Sequence, residues 1–139
     1  MKVIDSYSAP TAHSAQLVFS RWAHPEGWPV WDAEVRAVRF EGPAKLGARG
    51  QMRPASGPAA TFSITTFEQD RVFTNTSSLP GAKLIFEHRV TPTAERATVE
   101  VTVGVDGFLA PLWHRMLGKS LRNAAQSSVT GLLDHLDRA

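Results

Sequence analysis

The spacing of apolar side chains along the chain changes period several times, and each change marks a new kind of element. Residues 2–8 alternate, with Val3, Asp5 and Tyr7 opposed to Ile4 and Ser6, which predicts a strand. Ser8-Ala9-Pro10-Thr11 then offers a capping hydroxyl and a proline suited to a first helical turn. Ala12, Ala15, Leu17, Val18, Phe19 and Trp22 follow at mixed helical spacings and predict a short amphipathic helix. Pro25, Gly27 and Pro29 break it, with Trp22, Trp28 and Trp31 crowded into the break.

From Ala33 the period becomes two. Strands are predicted over residues 34–40, 49–53, 60–67, 71–78, 83–91 and 97–106. The first of these slips parity near Ala37–Val38, as a bulge would. The last is the cleanest, with Val99, Val101, Val103 and Val105 set against Thr98, Glu100 and Thr102. Gly42-Pro43, the Pro54–Pro58 loop (Ser56 as a turn residue) and Pro80-Gly81 separate them without helices, which predicts an antiparallel meander.

After Asp106-Gly107 the helical period returns, from Leu109 to Leu136 over about 28 residues. Such a helix would be about 42 Å long. Seven strands measure about 29 Å across, so it could cross the whole sheet. At 100° per residue, however, Leu112, Trp113, Met116 and Leu117 face about 180° away from Val129, Leu132, Leu133 and Leu136. Gly118, between the two sets, is the expected site of a kink or break, with the preceding Leu112–Leu117 segment packing on different neighbours. A straight helix would instead leave the early set exposed or buried against a second copy, giving a homodimer rather than a monomer. The predicted class is α+β: a seven-stranded antiparallel sheet wrapped around a long C-terminal helix, with residues 1–139 forming one domain.

Composition narrows this picture. A length of 139 residues suits one domain, and 42% hydrophobic with 20% charged residues is globular. The absence of cysteine excludes disulfides, thiolate metal sites and a cysteine nucleophile. The net charge is +2 and the arginines are scattered singly, so no basic face for nucleic acid is expected. No apolar run approaches the roughly 18–20 residues that span a bilayer. An acid at position 5 interrupts the start, unlike a secretory leader, so the expected location is the cytoplasm.

The element order resembles the helix-grip fold of the START-like (SRPBCC) superfamily of polyketide cyclases/dehydrases and lipid-transport proteins. The residues that carry the resemblance are Pro10 opening the first helix, Trp28-Pro29-Val30-Trp31 before the second strand, and Gly42-Pro43 with Gly47 and Gly50. His88 in the penultimate strand and Gly107-Phe108-Leu109-Ala110-Pro111-Leu112 leading into the last helix complete it. The resemblance covers residues 2–137 and implies an apolar cavity between sheet and helix that holds a small hydrophobic molecule.

Candidate chemistry is sparse. The histidines at 13, 24, 88, 114 and 135 form no i, i+2 or i, i+4 pair, and no metal site is predicted. No nucleophile elbow, P-loop or dinucleotide turn occurs, so neither a cofactor nor a catalytic residue is assigned. Asp32 and Glu34 read as flanks of a strand. His88 shares a face with Leu84, Phe86 and Val90, and is either a satisfied core histidine or the polar anchor of an apolar pocket. The tryptophans either complete the core under a loop or stand beside the cavity opening. The pocket candidates are Trp22, Trp31, Phe62, Ile64, Asn75, Phe86, His88, Val101, Met116 and Ser120. The implied function is binding, transport or sequestration of a small hydrophobic or aromatic ligand. The alternatives are a cyclase/dehydrase-type enzyme acting on a cavity-bound substrate, and a surface interaction module whose cavity is vestigial.

Overall fold

Val99, Val101, Val103 and Val105 are all buried, and they line one face of strand β7 (Arg96–Asp106). Strands β1 (Lys2–Thr11), β2 (Val35–Phe40), β3 (Arg49–Pro54), β4 (Ala60–Glu68), β5 (Val72–Leu79) and β6 (Ala82–Thr93) complete one sheet in the order β1-β7-β6-β5-β4-β3-β2. Every pairing is antiparallel, as the run of short turns requires. These coordinates are a computed structural model that describes residues 1–55 and 58–139, so the reading of Ser56 as a turn residue lies outside the described residues.

The register carries the buried face across the sheet. Val101 pairs with His88 and His88 with Phe73, while Val103 pairs with Phe86, Phe86 with Asn75 and Asn75 with Ile64. The other face is polar, with hydroxyl contacts at Ser6–Thr102 (3.2 Å) and Thr65–Thr76 (2.8 Å). In β3, Gly50 lies between Phe40 and Phe62 on the neighbouring strands. A Cβ there would stand 2.7 Å from Phe62 Cζ and 2.8 Å from Phe40 Cδ2. Its absence lets the two rings stack at 6.1 Å over the gap.

The expected bulge in β2 occurs one step earlier, between Val35 and Ala37. Pro10 does not open a helix. It remains in β1, an edge strand, where a residue with no N–H is tolerated. Helix α1 (Ala15–Trp22) begins after Ser14, whose hydroxyl accepts the Leu17 N–H at 3.1 Å. A 3-10 turn (Pro25–Gly27) leads into the single turn α2 (Trp28–Trp31).

The C-terminal segment is two helices rather than one. Helix α3 (Ala110–Leu117) stops at Gly118, where the reversal of the apolar stripe predicts a break, and α4 (Ala124–Arg138) follows. At 15 residues α4 is about 22 Å long, shorter than the sheet is wide. Its stripe of Ala125, Val129, Leu132 and Leu136 is buried, with the helix packed on β1, β7 and α2.

The start of α4 is held from the far end of the chain. Its N-cap, Asn123, makes no side-chain bond. Instead Asp5 Oδ2 accepts the N–H groups of Ala125 (2.9 Å) and Gln126 (3.2 Å). A carboxylate at a helix N-terminus satisfies free donors and opposes the helix dipole. Asp5→Ala is expected to cost about 2–3 kcal/mol, more than a local cap, because two bonds to one charged group are lost. Chemical denaturation checks this. A change within a few tenths of a kcal/mol would mean that packing alone holds α4.

Candidate functional site

Strands β5 and β6 place polar side chains on the buried face, where β7 presents Ala97 and valines. Asn75 and Ser77 lie on β5 beside Phe73, and His88 lies on β6 opposite Phe73. His88 is 7% exposed. Its Nδ1 lies 2.9 Å from the Phe73 carbonyl oxygen, which can only accept, so Nδ1 carries the proton. Burial pushes the imidazole down to about pKa 4, against the pull of the backbone bonds, so the ring is neutral near pH 7. The remaining nitrogen, Nε2, is then an acceptor. Trp22 of α1 lies against the ring, with centroids 5.2 Å apart.

Three polar atoms in this interior have no hydrogen-bond partner among the described residues: Trp22 Nε1, Asn75 Oδ1 and Ser128 Oγ. They come from α1, the inner face of β5 and the buried stripe of α4. Thr74 Oγ1 is also buried and unpaired, on the opposite parity of β5. Buried polar groups are nearly always bonded, so such a concentration within one interior calls for an explanation.

Aromatic rings pack against one another in the interior where the cavity is expected. Phe19 meets Phe67 at 5.3 Å and Phe73 at 6.3 Å, while Trp28 meets Phe62 at 5.3 Å and Phe73 at 6.0 Å. Rings at these distances, edge-on except in the tilted Trp28–Phe62 pair, attract one another. Two hollows among the described residues are open and lie outside. One of about 300 Å³ is lined by Gly81, Ala82, Lys83, Asp106 and Gly107, and one of about 200 Å³ by Arg39, Glu41, Arg49, Gly50 and Gln51.

Of the expected pocket residues, the fold gathers Trp22, Phe62, Ile64, Asn75, Phe86, His88 and Val101 on or against the inner face. Trp31 is buried at the end of α2, with its carbonyl oxygen against Gly131 of α4. Met116 and Ser120 do not belong to this interior. The sheet-facing side of α3 is taken by Ala110, which leaves Met116 on the outside, and Ser120 lies exposed in the turn that follows, its hydroxyl donating to the Leu117 carbonyl. Phe73, Phe19 and Ser128 are missing from the expected set. Phe73 was signalled by its period-two relation to Asn75, but Ser128 had no signal beyond its place on an apolar helix.

Asp32, read from the sequence as a strand flank, caps the C-terminal end of α2. Desolvation lifts its carboxyl to about pKa 6 and the neighbouring Glu34 adds to the rise, while the Glu34 N–H, at 3.0 Å from Oδ1, opposes it. No group of three His, Cys, Asp or Glu side chains suited to a metal occurs among the described residues.

The profile of a family described as polyketide cyclase/dehydrase and lipid transport matches residues 6–139. No curated protein matches the sequence. Among solved structures, protein MLL2253 from Mesorhizobium loti superposes with a TM-score of 0.76 at 15% identity, covering 96% of each chain. Ara h 8.0201 gives 0.71 at 12% identity, covering 96% of this chain and 97% of its own. DynU16, described as belonging to the dynemicin biosynthetic locus, gives 0.69 at 15% identity, covering 95% of this chain and 46% of its own. At these identities the likeness is one of fold.

Proposed function

The chain belongs to the polyketide cyclase/dehydrase and lipid transport family, and from that premise we propose that it binds a small aromatic molecule bearing a hydroxyl or carbonyl group between the sheet and the helices. The observation that carries this reading is the set of unpaired polar atoms inside an aromatic interior, Trp22 Nε1 and Asn75 Oδ1, beside the neutral acceptor His88 Nε2. An apolar site with a few polar groups fixes a ligand's orientation through those groups. A phenolic hydroxyl would donate to His88 Nε2, and a ring oxygen would accept from Trp22. The ligand enters by displacing rings such as Trp28 and Phe73, since the interior is packed without it.

Tryptophan fluorescence of the protein, titrated with a panel of phenolic and polyketide-like compounds, tests the proposal. His88→Phe is expected to weaken binding of an oxygen-bearing compound by about 0.5–1.5 kcal/mol, the worth of one hydrogen bond, and to leave a fully apolar compound unaffected. Equal affinities for the oxygen-bearing compound in both proteins would return His88 to a purely structural role.

A second reading, a surface module whose cavity is vestigial, is favoured by the same ring packing. Failure of the whole panel to bind would support it. The enzymatic reading has less behind it. An imidazole of pKa about 4 is a weak general base near neutrality, and among the described residues no acidic side chain is bonded to it.

A further inference from the structure

Helix α3 inverts the usual arrangement of a surface helix. One side is anchored: Ala110 is buried, the Trp113 indole N–H donates to the Pro80 carbonyl at 2.8 Å, and His114 Nε2 bonds the Val3 carbonyl at 3.0 Å. The opposite side should be polar. It carries instead Leu112 and Met116, 50% and 59% exposed, and Phe108 in the preceding turn is 84% exposed. These three residues follow one another at four-residue intervals. Between Gly107 and Leu133 the chain has no Asp or Glu, but it has the exposed Arg115, Lys119 and Arg122. The acid just before this run, Asp106, lies 3.8 Å from the N-terminal ammonium.

We propose that α3 and its flanking turns are a docking surface for a lipid bilayer carrying anionic headgroups. Large apolar side chains bordered by basic ones are the pattern of a helix that lies in the plane of the interface. Charge selects this occupant over a second copy of the chain. A two-fold contact through α3 would set Arg115, Lys119 and Arg122 against themselves, whereas phosphatidylglycerol headgroups neutralise them. The proposal does not depend on what the interior binds.

Flotation with phosphatidylglycerol–phosphatidylcholine vesicles, against pure phosphatidylcholine vesicles, tests it on the full chain. Wild type is expected to float with the anionic vesicles alone, and less as salt is raised. F108S/L112S/M116S should lose most of this binding. R115E/K119E/R122E should weaken it by more than a hundredfold, since each basic residue near an anionic surface contributes roughly a factor of five and the acid that replaces it adds repulsion. All six positions are exposed, and circular dichroism of each variant establishes that it is folded. Absence of wild-type flotation, equal binding to both vesicle types, or binding unchanged in folded variants would overturn the proposal. So would a concentration-dependent dimer that F108S/L112S/M116S abolishes, since the second copy would then be the occupant.

Discussion

Gly131→Ala is expected to destabilise the protein by about 3 kcal/mol, although the same change inside an ordinary helix stabilises by up to about 1 kcal/mol. The reason is the crossing of α4 over α2. A Cβ built on Gly131 falls on the Trp31 carbonyl oxygen, well inside van der Waals contact. The obstacle is backbone and not the end of a flexible side chain, so no rotamer change relieves it. The two helices must separate, and the packing of Trp31 and Leu132 loosens with them. Urea denaturation measures the effect. An unchanged or raised midpoint would mean that α2 moves aside freely.

A second large effect is concealed in the wild-type protein. His88 has a folded pKa of about 4 against an ordinary 6.5, so its contribution to stability is complete above pH 6.5 and is lost as pH falls towards 4. Asp32 is raised from 3.8 to about 6, so its contribution is complete below pH 3.8 and is lost as pH rises through 6. Each shift corresponds to about 3 kcal/mol. The two windows nearly coincide and the signs oppose, so wild-type stability should change little between pH 4 and 6.5 on their account. Asp32→Asn retains an acceptor for the Glu34 N–H and removes one side of the balance. It should gain up to about 3 kcal/mol at pH 7 and then fall steeply on acidification. His88→Phe should show the reverse slope, below a constant offset of about 1 kcal/mol from the lost bond to Phe73. Unfolding free energies measured across this range decide the matter through their slopes. Parallel pH profiles for the three proteins would refute it.

The seven strands were legible because period two is a local signal and one face of each strand is buried. Val99 to Val105 and Leu84 to Val90 declared their inner faces directly. Turn residues placed most strand ends within a residue or two. The break at Gly118 was legible as well, since the apolar direction reverses there. The start of α1 was misread because Ser8 and Pro10 carry the local chemistry of a helix cap, while pairing of Pro10 with Thr98 holds that segment in the sheet. Long-range contacts leave no such local trace. Nothing around Asp5 in sequence points to Ala125, and nothing around Gly131 points to Trp31. The ring packing was illegible for a related reason: alternation tells which rings face inward, but their packing decides how much space remains. Met116 was placed wrongly because α3 is apolar on both sides, so its periodicity does not say which side is covered.

The place of β1 in the sheet also bears on the order in which the chain assembles. Strand β1 lies at the sheet edge beside β7, and Asp5 reaches the backbone of α4. During synthesis this segment must wait for nearly a hundred further residues before its neighbour exists. The β2–β6 hairpins, whose partners are adjacent in sequence, can close earlier because they enclose shorter loops. Until β7 appears, both β1 and the free side of β6 present unpaired backbone, which is the period of greatest exposure to intermolecular strand pairing. Closure of β1 onto β7, sealed by the Asp5 carboxylate at the start of α4, is accordingly expected late in folding, and a chain that stalls before residue 106 carries two open edges in addition to that of β2.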